Sequence, residues 1–216
     1  MLAREKVPVA LGPQRTDTAD VTTSGPPTAE ANTMESLKGL FLIASPKLID
    51  RNFFKSVILM VQHNDQGALG LVLNRPLEMT VKAAWEQVTD GPCEIEQPLY
   101  QGGPCDGPLM LLHGDRSFSD CPVLDGVYFS THRDAIQQLV AENRPRVKCF
   151  VGYSGWAAGQ LESEMEVGGW LTAPGTSDLI FLSEPHALWD AMQRVVSRRG
   201  YEGIDPRLIP DDPAMN

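Results

Sequence analysis

Ser56-Val57-Ile58-Leu59-Met60-Val61-Gln62-His63, Asn64-Asp65-Gln66-Gly67 and Ala68-Leu69-Gly70-Leu71-Val72-Leu73-Asn74 follow one another and decide the fold class. Two β-type runs flank a segment whose Asn, Asp and Gly carry turn chemistry, which predicts a β-hairpin. Both runs are nearly continuous in apolar residues instead of alternating. A hairpin wetted on one face would alternate, so this one is expected to be covered on both, by helices or by a sheet curling on itself.

Working outward, Gly39-Leu40-Phe41-Leu42-Ile43-Ala44 reads as a strand ended by Ser45-Pro46, with Phe53 and Phe54 of the next link tucking under the core. Past Pro76, Thr80 can cap a helix whose Val81, Ala84, Trp85 and Val88 repeat at helical spacing, stopped by Gly91-Pro92. Further strands are expected at Leu99–Gln101, Leu109–His113, Gly126–Ser130, Val147–Val151 and Trp170–Thr172. Thr131 with Asp134 resembles a capping box for a helix burying Ala135, Ile136, Leu139 and Val140. Pro185 suits the first turn of a last helix with the stripe Leu188, Trp189, Met192, Val195 and Val196. Strands and helices mix without strict βαβ alternation. The expected class is therefore α+β, with a mixed, largely antiparallel sheet of barrel-like curvature flanked by helices.

A chain of 216 residues with 42% hydrophobic content can bury one sizeable core. Residues 1–33 contain no aromatic residue and carry Pro8, Pro13, Pro26 and Pro27 among six threonines, so they read as a disordered arm. The expected single domain spans residues 34–204, and residues 205–216, with Pro206, Pro210 and Pro213, read as a loose tail. Arg4 and Lys6 precede the apolar run Val7–Leu11, but it is too short and interrupted by proline to serve as a secretory leader. Met34, where periodic sequence begins, offers an alternative start of translation. No stretch approaches the roughly 18 apolar residues of a membrane-spanning helix. A cytoplasmic location with no membrane association is the expectation.

The formal charge is −10, of which the arm supplies −1, with three cations against four acids. An acidic surface repels phosphate backbones, which argues against direct nucleic-acid binding and for a protein or small-molecule partner. The densest basic pair, Arg198-Arg199, falls in the last turn of a predicted helix, where cations complement the helix dipole. Cys93, Cys105, Cys121 and Cys149 show no Cys-x-x-Cys spacing, so no zinc ribbon is expected, and Cys149 reads as a small buried hydrophobe.

Phe150-Val151-Gly152-Tyr153-Ser154-Gly155-Trp156-Ala157-Ala158-Gly159-Gln160-Leu161-Glu162 compresses a buried strand, an apparent glycine-rich turn and a helix start near Ala158. It invites comparison with the nucleophile elbow Gly-x-Ser-x-Gly, but Trp156 stands where the last glycine belongs, which makes Ser154 a structural residue of the turn and not a nucleophile. Neither a phosphate-binding glycine loop nor a Gly-x-Gly-x-x-Gly motif occurs, so no nucleotide cofactor is expected. The four histidines lack ligand spacing. His63 and His113 could still meet if their strands were neighbours; without that, no metal is expected. Arg75, between Asn74 and Pro76, could bind a carboxylate or phosphate, or be an exposed arginine paired to a surface acid. Gly102-Gly103-Pro104 could present N–H groups to an anion or simply make a tight turn. Glu162, Glu164 and Glu166 read as a solvated helix face.

The segments Leu40–Pro46, Gly67–Pro76, Gly102–Pro104, Gly126–Tyr128 and Gly152–Glu162, in this order, resemble the AlgH/YqgE family from about Leu37 to Gly200. The resemblance implies a small cytoplasmic protein with a mixed α/β core including a barrel-like sheet, with no enzymatic activity established for the class. With no complete catalytic or metal constellation in the sequence, the leading expectation is a non-catalytic protein of this uncharacterised type, a regulator acting through protein contacts. The positions it marks as shared are Asn74, Arg75, Gly102, Gly103, Tyr153, Gly155, Trp156 and Gln160, as candidate ligand- or partner-binding residues. The family usually has alanine in place of Ser154 and valine in place of Cys105, which further disfavours a serine nucleophile. The alternative is a small-ligand binder or enzyme whose cleft is bounded by Asn74-Arg75, Gly102-Gly103 and Tyr153–Gln160.

Overall fold

The structure, a computed structural model, describes residues 35–48, 50–142, 144–181 and 184–200, with the side chains of 198–200 left aside. The expectations for the arm, for the tail and for the Arg198-Arg199 side chains lie outside these residues. In chain order the elements are β1 (Leu40–Ala44), β2 (Val57–Asn64), β3 (Gly67–Val72), β4 (Pro76–Thr80), α1 (Val81–Trp85), β5 (Pro98–Gln101), β6 (Cys105–His113), β7 (Cys121–Leu124) and β8 (Val127–Ser130). They continue as α2 (Arg133–Ala141), β9 (Val147–Ala157), α3 (Gln160–Glu166), β10 (Trp170–Pro174), α4 (Ser177–Ile180) and α5 (Leu188–Gly200).

The main path of the sheet runs β10-β1-β2-β3-β9-β6-β8-β7, with β4 and β5 branching from it. Of the described pairings, β5 with β9 is parallel and the rest are antiparallel. The sheet curls until β7 returns beside the start of β1, where Lys38 Nζ donates to Cys121 Sγ at 3.2 Å. This is the mixed, largely antiparallel and barrel-like α+β fold expected from the hairpin.

The curl explains the uninterrupted apolar runs. Phe41, Ile43, Val57, Leu59 and Phe150 point into the concave side, which Ile180 of α4 and Leu188 and Met192 of α5 close. Leu42, Ile58 and Met60 point outward under Leu161, Trp156 and Trp170. Farther along the convex side, Leu109, Leu111, Cys149 and Val151 lie under Val81 and Trp85 of α1 and Ile136 and Leu139 of α2. These central strands thus bury both faces, and each fully covered Leu or Ile contributes about 1.5–3 kcal/mol against exposure. Cys149 behaves as expected: it is buried, and desolvation pushes its thiol well above the ordinary range.

Several local expectations need correction. Gly152–Trp156 is not a turn. It continues β9, and the chain turns only at Ala158–Gly159, after which α3 begins at Gln160, not Ala158. Val88 falls in the turn after α1, although Thr80 Oγ1 does accept from Ala83 N as its cap. Thr131 does not cap α2. Asp120, eleven residues upstream, accepts from Thr131 N at 2.7 Å and His132 N at 3.2 Å, which holds the chain entering the helix but leaves the N–H groups of its first turn without a side-chain cap. Phe54 is 58% exposed, whereas Phe53 stacks on Trp156 at 5.9 Å between ring centres.

Candidate functional site

β9 is the axis around which the marked residues fall. Along one edge it pairs with β6; along the other it pairs with β5 through Phe150 and Val151, then with β3 through Ser154–Ala157. The change of partner happens at Gly152, whose φ of 68° lies in the left-handed region. A Cβ there would sit 2.8 Å from Cys105 O, so glycine is required by conformation and by space.

Gly102 and Gly103 fill the fork between β3 and β5. Gly102 N donates to Val151 O and Gly102 O accepts from Val72 N, each at 2.9 Å. A Cβ on Gly103 would lie 2.2 Å from Tyr153 C, deep inside a backbone contact. The Gly102 N–H is therefore spent inside the sheet and is not offered to an anion. Ser154, fully buried, donates its hydroxyl to Gly102 O at 3.2 Å, tying the fork together. A hydroxyl so placed is closed off from solvent and, among the described residues, is bonded to a backbone carbonyl and to no base.

Asn74 and Arg75 join the fork only through backbone, Gln101 N donating to Arg75 O at 2.9 Å. Their side chains turn to the link before β2. Asn74 Oδ1 accepts from Val57 N at 2.9 Å and Nδ2 donates to Lys55 O at 2.8 Å, so the amide is a clasp for the hairpin's entry. Arg75 Nη2 donates to Phe54 O at 3.4 Å; burial lowers the guanidinium pKa, and nearby Asp50 offsets part of that.

Tyr153, Gly155 and Trp156 line a groove of about 470 Å³ with Gln62, Gln66 and Leu69 of the hairpin and Cys105 of β6. Asn74, Arg75 and Gly102 do not reach it. The wall is held rigid by α3. Glu164 Oε2 accepts from Trp156 Nε1 at 3.0 Å and from Trp170 Nε1 at 2.8 Å, while its Oε1 accepts from Gln160 Nε2 at 3.0 Å. Gln160 Oε1 in turn accepts from Ala157 N at 3.1 Å, closing the turn. The expected solvated acidic face is thus partly a clamp, and Glu162 adds to it by accepting from His63 Nε2 at 2.7 Å.

His63 and His113 do not meet, because β3 and β9 stand between β2 and β6. His63 Nδ1 accepts from Leu37 N at 3.0 Å, which anchors the chain entering β1. His113, fully buried, donates from Nε2 to Ser130 Oγ at 2.9 Å; that hydroxyl donates to Phe118 O, and Nδ1 accepts from Asp115 N. Burial lowers its pKa, so it is held neutral.

A second cavity, of about 450 Å³, contains a residue the motifs did not mark. Lys148 of β9 is 4% exposed, on the concave face with Phe150. Its Nζ donates to Ile180 O at 3.1 Å and lies 4.1 Å from the centre of the Tyr100 ring. Desolvation depresses its pKa to about 8. The available signal was a lysine inside the apolar run Val147-Lys148-Cys149-Phe150-Val151, where every neighbour predicts burial.

A family model described as AlgH-like matches residues 41–199. The chain is 36% identical over 184 residues to a UPF0301 protein of Chlorobium limicola, covering 82% of this chain and 95% of that one. It is 34% identical over 187 residues to a UPF0301 protein of Myxococcus xanthus, covering 85% of this chain and 100% of that one. The solution structure of the AlgH protein from Pseudomonas aeruginosa is similar at a TM-score of 0.63 and 30% identity, over 85% of this chain and 98% of that one. A Corynebacterium diphtheriae protein, at 24% identity and a TM-score of 0.59 over 76% of this chain and 90% of its own, shares the fold.

Proposed function

Since this chain belongs to the AlgH-like family, we propose that it acts in the cytoplasm by binding and not by catalysis, as a regulator that engages a protein partner across the groove beside Tyr153. The observation that supports this reading is the character of the groove. Its walls present Tyr153, Leu69, Gln62 and Gln66, a mixture of aromatic, aliphatic and amide contact groups suited to a polypeptide surface. The one hydroxyl of this strand segment positioned like a nucleophile, Ser154, is turned away and bonded to Gly102 O. The net charge of −10 disfavours a nucleic-acid partner on electrostatic grounds.

The test exchanges Gln62 and Gln66, both exposed at the rim, for arginine. A partner co-purified with the wild type should be lost from the double variant while the melting temperature holds, and the partner should protect residues 62–69 and 153–157 from amide exchange. Retention of the partner by the double variant, or protection elsewhere, defeats the proposal. So would specific binding of duplex DNA at physiological salt.

A further inference from the structure

Among the described residues, folding has removed the Lys148 cation from water without supplying a counter-charge. Among the described residues no carboxylate oxygen lies within ion-pair distance of its Nζ. An ammonium carries three N–H donors. One reaches Ile180 O, and the Tyr100 ring face covers part of the remainder. A desolvated ammonium with spare donors is expensive to keep unless an acceptor arrives, and here a cavity opens beside it.

The shape and lining of that cavity narrow the acceptor. Its walls are Pro98, Tyr100, Phe181 and Pro185, flat apolar surfaces suited to a ring, while His186 and Glu184 stand exposed at the mouth. A phosphate would bring up to two charges and need several donors, and one ammonium does not provide them. The Glu184 carboxylate at the mouth also disfavours a highly charged anion. A monocarboxylate places one charge on Nζ and its body against the apolar walls.

We infer that the cavity beside Lys148 is a binding site for a small carboxylate with an apolar, ring-bearing body. The site is separate from the groove at Tyr153 and does not depend on the partner-binding reading. The probe is benzoate, followed by amide chemical-shift perturbation on the full chain, with benzyl alcohol as its uncharged counterpart. Benzoate should saturate with a dissociation constant in the millimolar range or tighter, moving the resonances of Tyr100, Phe181 and His186. Lys148→Met, which removes the charge at similar volume, should weaken it at least about tenfold, and benzyl alcohol should bind the wild type more weakly by a comparable factor. Absence of saturation by about 20 mM benzoate overturns the assignment, as does an affinity unchanged in Lys148→Met or matched by benzyl alcohol. Lys148→Gln serves as a second variant: it keeps a polar donor without the charge, and it too should lose benzoate.

Discussion

Replacing Lys148 by methionine should make the unliganded protein more stable at neutral pH. The folded-state pKa of about 8 against an ordinary 10.5 means that burial penalises the charged form. At about 1.36 kcal/mol per unit, the penalty at pH 7 is about 3 kcal/mol. Methionine removes it but leaves Ile180 O without its donor, a loss of about 1 kcal/mol, so the expected net gain is about 2 kcal/mol. The pH dependence carries the stronger test. Below the folded pKa both states hold the proton and the wild type bears the full penalty. Between about 8 and 10.5 the folded state releases a proton that the unfolded chain keeps, so wild-type stability rises with pH through this window. Above it both states are neutral and the advantage of methionine is gone. Urea unfolding of both proteins at about pH 7 and pH 10 measures this directly. A variant less stable than wild type at neutral pH, or a difference that does not shrink with rising pH, would refute the account of Lys148 as a desolvated buried cation.

Other expectations can be checked in the same unfolding assay. Glu164→Ala leaves the Trp156 and Trp170 indoles without their acceptor and should cost about 2–4 kcal/mol, with Glu164→Gln losing less because one carbonyl oxygen remains. Gly103→Ala forces a methyl into the Tyr153 backbone and should cost more than about 3 kcal/mol, whereas Ser154→Ala loses only one buried hydrogen bond, about 1 kcal/mol, and should leave partner binding intact. His113 has a folded pKa lowered from 6.5, so its contribution is fully present above that value. As pH falls below 6.5 the unfolded chain takes up a proton that the folded one refuses, and stability declines until the folded pKa is reached. His113→Gln should flatten that part of the acid limb.

The hairpin was readable because its information is local. Asn64 to Gly67 supplies turn chemistry within a few residues, and the unbroken apolar runs on each side require cover on both faces whatever provides it. The class α+β and the family likeness follow from such short segments in order. The stretch at Gly152 misled for a related reason: glycine permits a turn and a kinked strand alike, and only the neighbours choose. With β5 ending and β3 beginning on the same edge of β9, the chain must bend there without stopping, and Gly152 is the bend.

The site depended still more on long-range placement. Glu164 looks like one of several acids on a helix, and its role appears only when β10 brings Trp170 beside Trp156. Asp120 holds the entry to a helix whose own sequence seemed to carry its cap at Thr131. From the sequence alone came most of the strands, though not β4 or β7, the double-sided burial of the hairpin and the kinship. The curl of the sheet decided the rest: which backbone groups Gly102 and Gly103 occupy, where the groove at Tyr153 opens, and that Lys148 stands buried beside a cavity. Those outcomes rest on contacts between residues far apart in the chain, and no local spacing encodes which distant surface will arrive.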